Sequence, residues 1–402
     1  LAVADLAVAD LAVAEAAALV VVVPAAAGNP GMKMNNSIYI AFILLLTAGE
    51  PGFAGDGDRN TLRIVFAGDV MGHDTQINAA YIDSTDSYDY KDCFSYLKPF
   101  LGNADIAVAN LEVTLAGPPY QGYPRFSSPD ALLDGLMNAG FNVLVNANNH
   151  ALDRGSEGLE RTKVTADRKG MILTGSFISS GHREQTYPLI LEKNDILLAM
   201  LNYTYGTNGL QADTPNIVNY IDTLMIQKDI QKVKLVEPDF VVATIHWGNE
   251  YQRQEDTLQR ELAGFLFRQG VDVIIGSHPH VVQPVKFSQT DTGFHHLVVY
   301  SLGNFVSNQR DRYRDGGIIF GLELEKTDRT RITGFDYLPV WVHKPLQGDK
   351  QVFRLIPAGL AEEEIERMGF NETELSGFRL FYEDTRDHLK NVPENRYYKT
   401  NE

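Results

Sequence analysis

From about residue 60 onward, short apolar runs recur along the chain, separated by helical or loop-like segments. The runs fall at 62–67, 106–109, 141–145, 171–173, 196–201, 240–245, 271–275, 297–300 and 318–324. Their length and their content of Val and Ile predict strands, and the spacing between them predicts a largely parallel or mixed sheet covered by helices, an α/β protein. Helices are expected at 131–139, behind the start signal Ser127-Ser128-Pro129-Asp130, and at 158–169, 222–236 and 257–269. The segments 188–191 and 196–201, with Lys193-Asn194-Asp195 between them, read as a hairpin. The Tyr- and Asp-rich stretch 81–90 reads as a loop or insertion. After Val340-Trp341-Val342 the pattern changes to acidic amphipathic stretches near 361–368 and 372–384, so a domain over 60–345 followed by an extension over 346–402 is expected.

Six of the apolar runs lead, in the same sense along the chain, into residues capable of chemistry. Asp69 follows the first run and Glu112 the second; Asn148-Asn149-His150 follows the third, His246 the run at 240–245, His278-Pro279-His280 the run at 271–275, and Asn304 the run at 297–300. In open α/β sheets ligands sit outside the carboxyl ends of the strands, so these residues are candidates for one site. A carboxylate such as Glu112 at the end of a buried strand is costly unless it is paired or metal-bound. Residues i and i+2 of an extended segment face the same way, so His278 and His280 are expected to address one point. Asp153 and Arg154 either orient His150 or cap the next helix, and His73, His182 and His343 have no constellation of their own.

Composition narrows the chemistry. The net charge of -17 argues against a nucleic-acid partner. With a single cysteine, Cys93, any metal must be held by oxygen and imidazole donors. That donor set suits one or two divalent transition ions, Mn²⁺, Fe or Zn²⁺. Arg125 is a candidate for holding an anionic substrate group, whereas Arg310, Arg312 and Arg314 fit surface charge better. Asn304, Glu250 and Asp153 are candidate orienters of the histidines and of the substrate.

At the amino end, Met32-Lys33-Met34 opens a short basic region, 38–48 is apolar, and Gly52-Phe53-Ala54 offers small residues, so 32–54 reads as a secretory signal and the protein is expected to be exported. The apolar stretch is about half the ~20 residues that span a bilayer, so an uncleaved anchor is the alternative. Residues 1–31 repeat Leu-Ala-Val-Ala-Asp and are set aside as an upstream-translation artefact.

The ordered series Gly68-Asp69, Asn110-Leu111-Glu112, Asn148-Asn149-His150-Ala151-Leu152-Asp153, His246-Trp247-Gly248, His278-Pro279-His280 and Tyr300-Ser301-Leu302-Gly303-Asn304-Phe305 resembles the bacterial capsule-synthesis protein CapA family, a divergent branch of the calcineurin-like metallophosphoesterases. The resemblance implies a four-layer αββα sandwich and a role in poly-γ-glutamate capsule production. It implies Asp69 and His280 on a first metal, Asn149, His246 and His278 on a second, Glu112 as the bridge, and His150 as general acid. The family's relatives carry Asp-x-His in the first motif, whereas Asp69 is followed by Val70 and Met71 and a histidine comes only at 73. Two functions follow: a metal-dependent hydrolase acting on a phosphoester or another bond of an anionic envelope polymer, or a non-catalytic assembly or export factor, in a capsule-synthesis complex at the membrane, using the same cleft for binding.

Overall fold

The structure, a computed structural model, describes residues 20–22, 60–290, 293–360 and 362–395. Each of the nine apolar runs overlaps a strand. The strands extend past the apolar runs to the polar residues: Thr61–Val70 contains Asp69, and Phe240–His246 ends on the histidine. The expected helices form as Ala131–Ala139, Gly155–Lys169, Thr223–Val236 and Thr257–Gln269. Asp222 and Asp256 cap the last two by accepting backbone N–H groups, which satisfies donors that a helix start otherwise leaves free. The stretch at 81–90 contains a small antiparallel pair, Tyr81–Ile82 with Ser87–Tyr88.

Two parallel blocks make up the main sheet. In one, Thr61–Val70, Ile106–Leu111, Val143–Val145 and Ile172–Thr174 pair in that order. In the other, Ile196–Thr204, Phe240–His246, Val273–Ser277 and Gly293–Val299 pair likewise, with Leu189–Lys193 antiparallel to Ile196–Thr204 as the hairpin reading expects. The long antiparallel strands Gly316–Lys326 and Thr330–His343 join the blocks.

Period-two burial turns this continuous sheet into layers. Ile64 and Phe66 of the first block share a core with Leu198, Met200 and Val242 of the second, so the blocks pack face to face. The intervening residues point outward: Val65 and Ala67 against Leu132 and Leu136 of the helix Ala131–Ala139, Ala199 and Ala243 against Ile226, Ile230 and Leu266 of the other two helices. The result is helices, sheet, sheet, helices, the four-layer αββα arrangement, with three cores each formed by the side chains of alternate strand positions.

The residues beyond 345 are packed into this body rather than appended to it. Strand Arg354–Pro357 pairs with Thr330–His343, Leu355 lies in the first outer core, and Phe378 and Phe381 of the helix Glu372–His388 cover Trp341. The amphipathic period there reported a helix face but not what it covers. At the amino end, Val20–Val22 adds an edge strand antiparallel to Leu189–Lys193; the rest of 1–31 and the signal reading at 32–54 lie outside the described residues. No described helix is long and apolar enough to cross a membrane.

Candidate metal centre

Both parallel blocks direct their carboxyl ends to the same place. Asp69 stands in the first strand, and Glu112 directly follows Ile106–Leu111, its N–H donated to Val70 O at 3.1 Å. His246 ends its strand on the opposite block. Two tight crossings hold these ends together. A Cβ on Gly68 would stand 2.0 Å from Gly303 O, and one on Gly276 would stand 2.0 Å from Tyr300 O, so only glycine permits the backbones to approach.

Asp69, Glu112, Asn149, His246, His278 and His280 are all buried, and they meet. His246 Nε2 lies 3.0 Å from Asn149 Oδ1 and 3.6 Å from Glu112 Oε1. His280 donates through Nδ1 to Asp69 Oδ2 at 3.0 Å, and its Nε2 lies 3.9 Å from Glu112 Oε1. The His278 ring centroid is 4.7 Å from that of His246 and 6.0 Å from that of His280. Two sets of donor atoms are close enough to hold an ion, Glu112 with His278 and His280, and Asp69 with Glu112 and His246. Glu112 belongs to both.

The electrostatics of the cluster suit a cation. Burial pushes His246 well down, with His278 adding to it, and pushes His278 down to about 3, with the neighbouring His280 adding to it. Those rings are therefore neutral at pH 7 with lone pairs to offer. Burial and the adjacent Asp69 push Glu112 well up. Burial alone would raise Asp69 as well, but His280 and Asn110 donate to it and hold it below the usual carboxylate range. Glu112 Oε1 and His278 Nδ1 are buried with no hydrogen-bond partner among the described residues. Buried donor atoms of a metal-ligating type without a partner are what a divalent ion would satisfy, so the residues fit the metal that the donor chemistry implies.

His278 and His280 converge by a different route from the one expected. The segment is not extended: both residues adopt positive φ, 102° and 57°, and a sharp turn carries both rings toward Glu112. Such backbone in non-glycine residues costs of order 1–3 kcal/mol and persists where the surroundings over-determine it.

His150 sits beside the cluster. Asp153 Oδ2 accepts from His150 Nδ1 at 2.7 Å and from Phe126 N–H at 2.7 Å, and the Phe126 ring packs edge-on to the imidazole at 4.7 Å. Because a carboxylate only accepts, Nδ1 carries a proton and Nε2 is the atom left for chemistry. Asp153 is thus an orienter and not a helix cap; Arg154 bonds Gln121.

The remaining candidates land elsewhere. Glu250 is exposed, because the turn after His246 carries it to the surface beside Tyr251. Asn304 is buried; its Nδ2 donates to His280 O at 3.3 Å, Gln309 Oε1 and Arg314 O, and its Oδ1 has no hydrogen-bond partner among the described residues. Arg125 is exposed on the loop leading into Phe126. Arg312 pairs with Asp384 of the carboxyl-terminal helix. His73 is in neither of the two donor sets; it begins the helix Asp74–Ala80, and its Nδ1 is engaged with Gln76 and Asn308.

A model of the bacterial capsule synthesis protein PGA_cap family matches residues 63–309. This chain belongs to that family. Among its curated relatives are the PGA biosynthesis protein CapA of Bacillus subtilis (strain 168), 27% identical over 76% of this chain and 81% of that one, and the capsule biosynthesis protein CapA of Bacillus anthracis, 28% identical over 56% of each. The chain thus spans little more than half the length of the second relative. Among solved structures, NAD nucleotidase of Haemophilus influenzae aligns with a TM-score of 0.45 and 10% identity, over 82% of this chain and 60% of that one. The 5'-nucleotidase of Candida albicans aligns at 0.37 and 10%, over 82% and 58%. The layer assignment above rests on the strands and cores of this chain itself.

Within the PGA_cap match, the structure adds residues that sequence reasoning passed over. Asn110 donates to Asp69 Oδ1 at 2.8 Å and Glu112 Oε2 at 3.3 Å, and Asn148 in turn donates to Asn110 Oδ1 at 3.0 Å. Asn110 stands two residues before Glu112, where strand alternation places both on one face, and that was the available signal. Tyr205 covers the centre, its ring stacked on His246 at 6.1 Å and tilted against His278 at 4.6 Å. It follows strand Ile196–Thr204, whose end carries no charged residue, so nothing in the pattern marked it.

Proposed function

We propose that this PGA_cap protein serves in making an anionic capsule polymer of the poly-γ-glutamate kind, outside the cytoplasm, with a metal-dependent hydrolytic site of phosphoesterase type. The observation that carries the reading is Glu112: wholly buried, common to both donor sets, and with Oε1 unpartnered. In the proposed site Asp69, Glu112, Asn149, His246, His278 and His280 hold one or two ions of Mn, Fe or Zn. Such ions lower the pKa of bound water and polarise the bond to be cleaved. His150, aligned by Asp153, presents Nε2 for proton transfer to the leaving group. Arg125, exposed on the loop that leads into Phe126, is suited to an anionic portion of the substrate.

A second reading, a non-catalytic assembly or export factor in a capsule-synthesis complex at the membrane, is favoured by one observation: His73, the histidine nearest the first motif, is engaged with Gln76 and Asn308 and is in neither donor set. Elemental analysis of protein purified without chelator, with hydrolysis of a generic phosphodiester in added Mn²⁺, separates the two. The hydrolase reading expects bound transition metal and activity that His278→Ala removes. Metal without turnover leaves the binding role, and neither metal nor turnover sinks the metal centre.

A further inference from the structure

The loop that leaves strand Ile196–Thr204 touches three of the proposed metal donors. The Tyr205 N–H donates to His246 O at 3.0 Å, and the Tyr205 ring lies against the imidazoles of His246 and His278. Further along, Asn208 Oδ1 accepts from Asn149 Nδ2 at 3.4 Å. The residue before the tyrosine is pinned as well: Thr204 N–H donates to Asn219 O at 2.9 Å, and Ile221 N–H donates to Thr204 O at 2.8 Å. Tyr205 is therefore placed by the end of the sheet, before the loop takes its own course.

The aromatic side chains beside the histidines of the centre differ in what covers them. Phe126, against His150, is fully buried. Tyr251, 6.1 Å from His280, has the Arg314 guanidinium 4.2 Å from its ring. Tyr205 is 49% exposed, although it packs on two buried histidines. A ring serving only to pack would be covered; half of this one is left to water at the edge of a polar cluster, as area that a ligand can remove from solvent. Past Tyr205 the same loop lines a cavity of about 610 Å³ with Thr207, Leu210, Gln211, Asn216 and Tyr220 among others, and none of the lining residues is charged. In a chain of net charge -17, that neutral wall suits an uncharged group.

We propose that Tyr205 determines substrate specificity at the metal centre, its ring serving as the platform for an uncharged ring carried by the substrate while the substrate's anionic phosphoryl end faces the donor cluster. The proposal rests on the phosphoesterase reading for that anionic end, and adds what the group attached to it must be. Offset or edge-on ring pairs gain affinity beyond the area that they bury, so the platform discriminates between substrates that share a head group and differ in a ring.

The test is calorimetric titration of the full chain, loaded with Mn²⁺, with phenylphosphonate and methylphosphonate, which carry the same anionic head and are not hydrolysed. Phenylphosphonate is expected to bind about fivefold more tightly. Tyr205→Ala should bring that ratio close to one while Mn²⁺ content and methylphosphonate affinity stay as they were, and Tyr205→Phe should keep the ratio. Failure of both phosphonates to bind, equal affinities in the wild type, a ratio that persists in Tyr205→Ala, or loss of Mn²⁺ with the ring overturns the proposal; the last would make Tyr205 a prop for His278 and His246. Should Tyr205→Ala not fold, Tyr205→Leu, which keeps bulk without an aromatic face, carries the decision. A ring preference in a protein that turns over no phosphodiester fails the hydrolase reading alone, and turnover without the preference fails this one alone.

Discussion

The donors of the metal centre come from two kinds of scaffold. Asp69, Glu112 and His246 stand on a strand or on the residue after one, where ladder bonds to neighbouring strands position the backbone. Asn149, His278 and His280 stand on loops, and the last two hold positive φ. Strand-borne donors owe their position to the same hydrogen bonds that make the fold. Loop-borne donors rely on local bonds, such as Asn149 to His246 at 3.0 Å and Asn304 to the His280 carbonyl at 3.3 Å, and on the glycine crossing at 276. The first group is therefore expected to be rigid without metal, and the second to be ordered further by it.

The most severe break falls on the strand-borne side. Glu112→Gln keeps the shape and removes the charge common to both donor sets. Bound metal is expected to fall to background and hydrolysis by about 10³-fold or more, while the thermal transition of chelated protein stays in place or rises, since a buried carboxyl is replaced by an amide. Retained metal with retained turnover would place the bridge elsewhere. Next in size is His150→Ala. With Nδ1 bonded to Asp153, this ring is outside both donor sets, so metal content is expected to be unchanged and turnover to fall about 10²-fold or more. Loss of metal together with turnover would make His150 a ligand and not a proton carrier.

The same division explains what was legible in the sequence. The apolar runs at 62–67 and 240–245 marked strands whose odd and even residues enter different cores, and the polar residue that follows each run marked the site, because strand geometry places it without further information. The loops were legible only in residue type. His278 and His280 were expected to converge through an extended backbone, but they do so through a turn of positive φ, which residue type does not report. Tyr205 and Asn110 act through contacts across elements, and the segment beyond 345 enters the sheet through a pairing of Arg354–Pro357 that short apolar content did not announce.

Gly276 is where the loop side is most exposed to damage. Its added Cβ would stand 2.0 Å from Tyr300 O and 2.5 Å from the Trp247 indole nitrogen, and backbone cannot step aside as a flexible side chain does. Gly276→Ala is expected to lower stability by about 3 kcal/mol, the upper part of the overpacking range, read from the urea midpoint. Gly264→Ala, inside the helix Thr257–Gln269 and met only by Arg268 at 3.2 Å, is the control and is expected to be neutral or to stabilise by up to about 1 kcal/mol. Equal effects at the two positions would mean that the crossing is looser than its distances.

The smallest effect tests whether His278 is neutral before metal arrives. Burial and the neighbouring His280 hold His278 at about 3, below the ordinary 6.5 that it regains on unfolding. Between those values the unfolded chain binds a proton that the folded chain refuses, so stability is complete above 6.5 and declines as pH falls toward 3. For this one group, going from pH 6.5 to 5.5 costs about 1 kcal/mol in chelated protein. The urea midpoint of His278→Gln should fall less steeply over that interval, by about one proton's worth of slope. If wild type and variant share the same slope, His278 is already solvated in the metal-free protein, and the turn at 278–280 closes only around an ion. That outcome would sharpen the division, leaving Asp69, Glu112 and His246 as the preformed half of the centre.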